Sequence, residues 1–350
     1  MSCEGQKKRY DEIDIAKGIG ILLVILGHLD ADGQLSRYMI YAFHMPLFFI
    51  LSGVFADTKR PFKAYFIKNF KTLYWPFFVC FLFELLLIIG YGVVANAQFH
   101  AGIFRQFYDL IGIDFDVFNA PLWFLFVLFI IKIVFYFIRK SKCLKALFLC
   151  AGIAVIAVSK YVSLPANCLW IVALPCMTFF LVGDLFQKHI LSLSQKVNAQ
   201  PKKAALLLVY LLIVFVFGVI QNQKVNIREY LYGNGFLFAF NALAGTYIVL
   251  ILSAFLKKSK FFSKFFTFFG ENSLIVLVTH YCICRNLLRW VMSCLDLSAY
   301  LYSPTTQIVM MVVVVGIMIP TIKIGNRYLG FVFGKNMRQQ KRSEIKTIAQ

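Results

Sequence analysis

The sequence predicts an all-α fold, that of a polytopic integral membrane protein with about ten transmembrane helices and both termini in the cytoplasm. Of the 350 residues, 60% are hydrophobic, whereas a soluble domain contains about 45–50% apolar residues. Apolar runs long enough to cross a bilayer recur along the whole chain, and the loops between them alternate between strongly and weakly basic. These observations favour a membrane protein over any soluble class.

The apolar runs define the individual helices, since a span requires about 17–25 residues. No small-residue cleavage site precedes the first run, so we expect it to stay in the protein as a helix rather than to be removed as a signal peptide. The fifth and sixth runs are separated only by the stretch SLPAN. The predicted spans lie near 13–30, 38–56, 72–93, 120–138, 146–163, 167–187, 204–221, 234–256, 270–288 and 305–324.

Basic residues set the orientation of these spans. If the N-terminus is cytoplasmic, the cytoplasmic loops include KRPFKAYFIKNFK, RKSKCLK and KKSKFFSK and together hold most of the 36 Lys and Arg residues. The positive-inside rule predicts this asymmetry, and an even number of spans places the C-terminus in the cytoplasm as well. The sequence thus predicts a cytoplasmic segment 1–12, a membrane domain 13–326 and a basic cytoplasmic tail 327–350, in the plasma or inner membrane of the cell.

The composition argues against a nucleic-acid partner and against a metal site or a disulfide framework. The net charge of +20 follows from membrane topology, so we expect no nucleic-acid partner. The nine cysteines are scattered and lie mostly inside apolar runs, where a cysteine behaves as a small hydrophobic residue. Their spacing indicates neither a metal site nor a disulfide framework. The sequence leaves open whether the chain forms a homo-oligomer.

The first helix carries three ionisable groups, and charged groups inside a membrane helix are functional candidates because they are costly there. Lys17 and His28 are eleven residues apart, so they project from nearly the same face with a rise of about 16 Å between them. Asp14 lies three residues before Lys17 and can pair with it. We therefore expect Asp14, Lys17, Ile21 and His28 to form one stripe that faces the interior of the helix bundle.

Two more histidines are predicted at a similar depth. His44 lies in the second span, two residues before Pro46, which lacks a backbone donor and can kink the helix. His280 lies midway along the ninth span. Because the first two spans are neighbours in sequence, we expect His28 and His44 to share a cavity. A structural, hydrogen-bonded role is the alternative for any single histidine in a membrane. The other ionisable candidates within spans are Glu84, Lys132 and Asp184.

A pair of lysines follows the second span. Lys68 and Lys71 are three residues apart and so lie on neighbouring positions of a helix face. Together with Lys17 they predict a basic collar at the cytoplasmic mouth of the cavity, suited to a phosphorylated ligand. The alternative is that both lysines merely provide the positive charge expected of a cytoplasmic loop.

The stretches DIAKGIGILLVILGH, FHMPLFFILSGVF and KNFKTLYWPF resemble the acyltransferase family 3 membrane proteins, which include carbohydrate O-acetyltransferases and fucose 4-O-acetylase-like proteins. Further blocks follow in the family's order over nearly the whole chain. In the family an Arg precedes the His of the first helix by eleven positions; here Lys17 replaces that Arg and His28 matches the His. An Arg-x-x-Arg pair is replaced by Lys68 and Lys71, which keep the charge but lose the bidentate fork.

The resemblance implies an acyltransferase with acetyl-CoA, or another acyl-CoA, as donor. The usual acceptor is a carbohydrate hydroxyl, here that of a surface glycan, an exopolysaccharide or a lipid-linked glycan. Lys17, Lys68 and Lys71 would hold the CoA phosphates at the cytoplasmic mouth. The pantetheine arm would follow the first helix, and membrane lipids would surround the protein and contact its basic tail.

The catalytic set implied by the resemblance consists of His28 and Asp14. His28 would act as the general base on the acceptor hydroxyl, and Asp14 would orient Lys17. His44, Trp123 and His280 are further candidates for shaping the acceptor site or stabilising the oxyanion. A covalent acyl-His28 intermediate remains open.

Two rival functions are also compatible with the sequence. A proton-coupled transporter or flippase for a glycan or small solute would use membrane-embedded charges and histidines, although the internal repeat typical of such folds is not visible. A non-catalytic scaffold or sensor descended from the enzyme would explain the two Arg-to-Lys changes. The presence of His28 favours the enzyme.

Overall fold

The structure is a computed structural model that describes residues 9–29, 34–56, 59–94, 120–162, 168–222, 224–294 and 303–333. The first eight residues and most of the predicted tail 327–350 lie outside the described residues. So does the loop predicted between the third and fourth spans.

The described residues form fifteen α-helices, two π-helical segments, two 3-10 segments and one isolated antiparallel bridge between Asn226 and Leu231. The α-helices are α1 (Asp11–Leu29), α2 (Leu35–Tyr41), α3 (His44–Val54), α4 (Phe62–Asn69), α5 (Trp75–Val94), α6 (Trp123–Ile138), α7 (Lys142–Val158), α8 (Leu169–Leu185), α9 (Gln187–Ala199), α10 (Pro201–Gln221), α11 (Gly235–Leu256), α12 (Lys260–Glu271), α13 (Ser273–Tyr281), α14 (Leu288–Cys294) and α15 (Pro304–Tyr328). The π segments are Phe70–Tyr74 and Cys282–Leu287, and the 3-10 segments are Ala120–Leu122 and Ile227–Glu229. The predicted all-α class is confirmed for these residues.

Four stretches of the described chain are long and apolar enough to cross a membrane, or six if each of two bent helix pairs counts as one span. The ten spans predicted from the sequence are therefore not confirmed in number. Helix α1 is not among these stretches, because its first two turns contain the charged residues Glu12, Asp14 and Lys17. Helices α6 and α7 contain 16 and 17 residues, which is short against the roughly 20 residues that a helix needs to cross the hydrocarbon core.

Apolar side chains cover the outside of several of these helices. On α10, Leu206 and Ile213 are 72% and 65% exposed, and on α15, Val312 is 68% exposed. Exposed apolar faces of this extent are unusual on soluble monomers. They fit helices whose outer surface contacts lipid.

The second predicted span is broken into α2 and α3 at Ala42 and Phe43. Pro46 has no backbone N–H, so the carbonyl of Ala42 loses its helical donor. Phe43 instead bonds back to the carbonyl oxygen of Ile40 at 3.2 Å. The helix is thus interrupted directly before His44, although Leu35–Val54 together still forms one apolar stretch.

The ninth predicted span, 270–288, is interrupted near its start. Helices α12 and α13 meet at an angle of 70°, with Asn272 between them. The Asn272 side chain donates to the carbonyl oxygen of Phe268 at 2.8 Å and accepts from the Asn326 side chain at 2.8 Å. These bonds satisfy polar groups at the bend, so the chain can change direction inside the bundle.

Helices α1 and α12 approach each other through two glycines. A Cβ added to Gly18 would lie 2.0 Å from the carbonyl oxygen of Phe266, and one added to Gly270 would lie 1.8 Å from that of Asp14. No other residue type fits at such a separation, so the two glycines allow the helices to pack closely. The contact places the end of α12 beside Asp14 and Lys17.

We expect Gly270→Ala to lower the free energy of unfolding by about 1–3 kcal/mol, because α12 would have to move away from α1 to admit the methyl group. Thermal unfolding in detergent measures the loss. Gly316→Ala is the matched control, since a Cβ there meets no atom within 4 Å and alanine favours a helix. Equal melting temperatures for Gly270→Ala and the wild-type protein would contradict the tight contact.

Candidate active site

A cavity of about 210 Å³, here called the histidine cavity, lies between α1, α2, α3, α13 and the 3-10 segment that precedes α11. His28 and His44 both line it, as does Trp123 at the start of α6. The prediction that His28 and His44 share a cavity is confirmed. The remaining lining residues are Val24, Arg37, Tyr41, Met45, Pro121, Asn226, Ile227, Arg228, Glu229, Leu277 and Tyr281.

His28 stands among aromatic rings. Its ring centroid lies 5.1 Å from that of Tyr281, nearly at right angles, and 5.2 Å from that of His280. The Tyr41 ring is 6.4 Å away and lies 5.0 Å from the His44 ring. The imidazole of His28 is therefore held between ring edges while part of it remains exposed to the cavity.

His44 and His280 each have one ring nitrogen committed to the backbone. His44 Nδ1 lies 2.8 Å from the carbonyl oxygen of Ile40, and His280 Nδ1 lies 2.8 Å from that of Val276. A carbonyl accepts only, so Nδ1 must carry the proton, and in the neutral ring Nε2 is left as an acceptor. His280 is fully buried behind His28, and its Nε2 has no hydrogen-bond partner among the described residues.

A polar loop between α10 and α11 forms one wall of the histidine cavity and contributes Asn226, Arg228 and Glu229. The Asn222 side chain holds the loop, donating to the carbonyl oxygen of Tyr232 at 3.0 Å and accepting from the backbone N–H of Asn234 at 2.8 Å. No local sequence pattern relates Arg228 to His28, so the sequence alone does not indicate that Arg228 lines this cavity.

Tyr230 ties the same loop to the start of α8. Its hydroxyl donates to the carbonyl oxygen of Cys168 at 2.7 Å. Burial raises the pKa of the Tyr230 hydroxyl above its ordinary value, so the tyrosine stays protonated and remains a donor. The bond fixes the loop against the helix bundle.

A second cavity of about 440 Å³, here called the lysine cavity, surrounds the first half of α1. Asp14 and Lys17 line it, and their side chains are paired at 3.4 Å, as the sequence predicted. Arg9 binds the other oxygen of Asp14 at 3.1 Å and also pairs with Glu271. The further lining residues are Ile21, Val24, Met45, Phe48, Leu51, Ser52, Phe55, Thr72, Leu73, Phe124, Leu125, Leu128, Lys132, Gly270, Glu271, Ser273, Leu274 and Leu277.

Of the three lysines in the predicted basic collar, Lys17 lines the lysine cavity and Lys68 and Lys71 do not. Their segment reaches the cavity through Thr72 and Leu73, within the π-helical stretch Phe70–Tyr74. A π turn holds more residues than an α turn, so it shifts which side chains face inward. Lys68 and Lys71 lie on the exposed side of the chain.

The two cavities meet at an apolar boundary. Val24, Met45 and Leu277 line both of them. Along α1, Lys17, Ile21, Val24 and His28 therefore lead from one cavity to the other on a single face, as the helical period predicted. Among the described residues, no three His, Cys, Asp or Glu side chains are grouped in a way that could hold a metal ion.

Comparison with known proteins identifies the family. A family model described as an acyltransferase domain matches residues 10–323 and so includes α1, both cavities and most of α15. No curated protein and no solved structure matches the chain. A match over this share of the chain, together with the apolar helices, identifies a membrane acyltransferase. The chain belongs to the acyltransferase family 3 membrane proteins.

Proposed function

We propose that the protein moves an acetyl or other acyl group from acyl-CoA to a hydroxyl of a carbohydrate, on a surface glycan, an exopolysaccharide or a lipid-linked glycan. The lysine cavity receives acyl-CoA from the cytoplasm, and the histidine cavity receives the acceptor from the other side of the membrane. In this arrangement the protein lies in the cell membrane with about ten spans and both termini in the cytoplasm.

One observation carries this proposal: a single face of α1 joins a cavity with lysines to a cavity with histidines. Lys17 and His28 are separated by about 16 Å along the helix. A ligand with a charged end and a long arm can place phosphate near Lys17 and its reactive end near His28. Acyl-CoA has this shape, since the pantetheine arm separates its phosphates from its thioester.

The chemistry requires a base at the histidine cavity. The His28 imidazole takes the proton of the acceptor hydroxyl as the hydroxyl oxygen attacks the thioester carbon. The carbon–sulfur bond then breaks, the thiolate of CoA takes the proton from the imidazolium, and an ester and free CoA leave. The Nε2 atom of His44 is an acceptor in the same cavity and helps to orient the hydroxyl.

The other lining residues of the histidine cavity suit a sugar. Arg37, Asn226 and Glu229 provide donors and acceptors for hydroxyl groups, and Trp123 and Tyr281 provide aromatic surface. Polar groups fix the orientation of a ligand in such a pocket, while apolar faces exclude water.

Reconstitution of the purified protein in liposomes with labelled acetyl-CoA tests the donor. We expect acetyl transfer to an extract of surface glycans when acetyl-CoA is present on the side of the termini. Mass spectrometry of glycans from cells with and without the gene then identifies the acceptor through the loss of an acetyl mass. An absence of acyl-CoA turnover, with unchanged glycans, would contradict the proposal. Solute movement without acylation would favour a transporter instead.

A further inference from the structure

Lys132 is a charged residue of the lysine cavity that the predicted donor site does not include. It lies in α6, within the fourth predicted span, and is partly buried between turns whose Ile131 and Phe135 are each 1% exposed. An ammonium group at such a position is costly unless a counter-charge or a ligand compensates it. The charged groups around the Lys132 ammonium therefore indicate which kind of ligand can bind it.

The two carboxylates that line the lysine cavity already pair with basic side chains other than Lys132. Asp14 pairs with Lys17 and Arg9, and Glu271 pairs with Arg9. In the part of the chain that the structure describes, no carboxylate lies within ion-pair distance of Lys132, and no hydrogen bond of its ammonium is found. Lys17 and Lys68 are near enough for their like charges to act on it. The cavity therefore holds excess positive charge around Lys132.

Lys132 in α6 lies about as far from the histidine cavity as Lys17 in α1 does. Trp123, which lines the histidine cavity, precedes Lys132 by nine residues, a rise of about 13 Å. Two helices thus place a lysine at a similar distance from the histidine cavity. Ser52 lines the same cavity and adds a hydroxyl that can donate to a ligand.

We propose that Lys132 binds a phosphate of the acyl-CoA donor, a role that rests on the proposed function. A phosphate supplies the missing negative charge and has several acceptor oxygens, so Lys132 and Lys17 can bind it together. A lysine suits this task as a point charge that needs no fixed fork geometry. Lys132 then sets the depth at which the donor stops, with the thioester beyond the boundary at Val24, Met45 and Leu277.

Binding of CoA to purified Lys132→Met, Lys132→Arg and wild-type protein tests the inference, with Lys202→Met as a matched control because Lys202 is exposed at the start of α10. We expect Lys132→Met to weaken CoA binding about tenfold to a hundredfold, the loss typical of a charged hydrogen bond. Lys132→Arg keeps the charge and should stay within about threefold of the wild type. Lys202→Met should bind like the wild type.

Melting temperatures separate binding from a structural role. Without CoA, Lys132→Met should be at least as stable as the wild type, because it loses an uncompensated charge. With CoA it should gain less stability than the wild type. A lower melting temperature without CoA, or unchanged CoA affinity, would overturn the inference. Stabilisation of the wild type by phosphatidylglycerol but not by CoA would assign the site to a lipid headgroup instead.

CoA binding by the wild-type protein separates a failure of the role of Lys132 from a failure of the proposed donor. If the wild type binds CoA and Lys132→Met binds it equally well, only the role of Lys132 fails. If the wild type binds no CoA, the donor assignment fails and the role of Lys132 fails with it.

Discussion

His28→Gln is expected to lower the rate of acyl transfer about 100-fold to 10,000-fold, the usual contribution of a positioned general base. Glutamine keeps a polar side chain of similar length but cannot take a proton from the acceptor. The lysine cavity is unchanged, so CoA affinity should stay within about threefold of the wild type. Labelled acetyl transfer at saturating acetyl-CoA gives the rate, and equilibrium binding gives the affinity.

His189→Gln is the matched control for this experiment. His189 is exposed, its ring stacks on Tyr247, and it lines neither cavity. We expect its transfer rate to match that of the wild type. Transfer by His28→Gln at the wild-type rate would remove His28 from the reaction. Release of CoA by the wild-type protein without acceptor, with the acetyl label bound to the His28 imidazole, would replace direct transfer by an acyl-enzyme route.

Met45→Trp is expected to abolish transfer while leaving CoA bound. Met45 is 8% exposed and lines both cavities, together with Val24 and Leu277. In the proposed function the thioester crosses this boundary to reach His28, and an indole here would obstruct it. The phosphates would still bind beside Lys17, so we expect at least a 100-fold lower rate with CoA affinity reduced by less than about tenfold.

Met45→Ala is the opposite change at the same position. It widens the boundary, so we expect acetyl transfer to continue and longer acyl groups to be accepted more readily. Melting temperatures for both variants verify that the core is intact, since replacement of a large core residue by alanine costs about 2–5 kcal/mol. Normal transfer by a stable Met45→Trp protein would show that the donor does not pass between the two cavities.

Some features could be read from the sequence because they depend only on neighbouring residues. The helical period alone aligns Lys17 with His28, and a spacing of three residues alone pairs Asp14 with Lys17. Pro46 interrupts its helix through its own missing donor. In each case the structure agrees with the prediction.

Other features depend on contacts between distant segments, so the spacing of neighbouring residues does not predict them. Arg228 and Glu229 reach the histidine cavity because a loop folds over α1, α3 and α13. Lys68 and Lys71 are exposed and do not line the lysine cavity, whereas Thr72 and Leu73 of the π segment Phe70–Tyr74 do. A helix period predicts one continuous face and carries no information about such an interruption.

The local chemistry of α1, the all-α class and the membrane character of this protein follow from its residue order, because apolar runs and helical spacing are properties of short segments. Whether Lys132 faces a lipid, a carboxylate or a cavity follows from the packing of α6 against α8 and the π segment Phe70–Tyr74. The meeting of the two cavities at Val24, Met45 and Leu277 likewise depends on how separate helices pack. Such contacts join residues far apart in the chain, so no short segment specifies them.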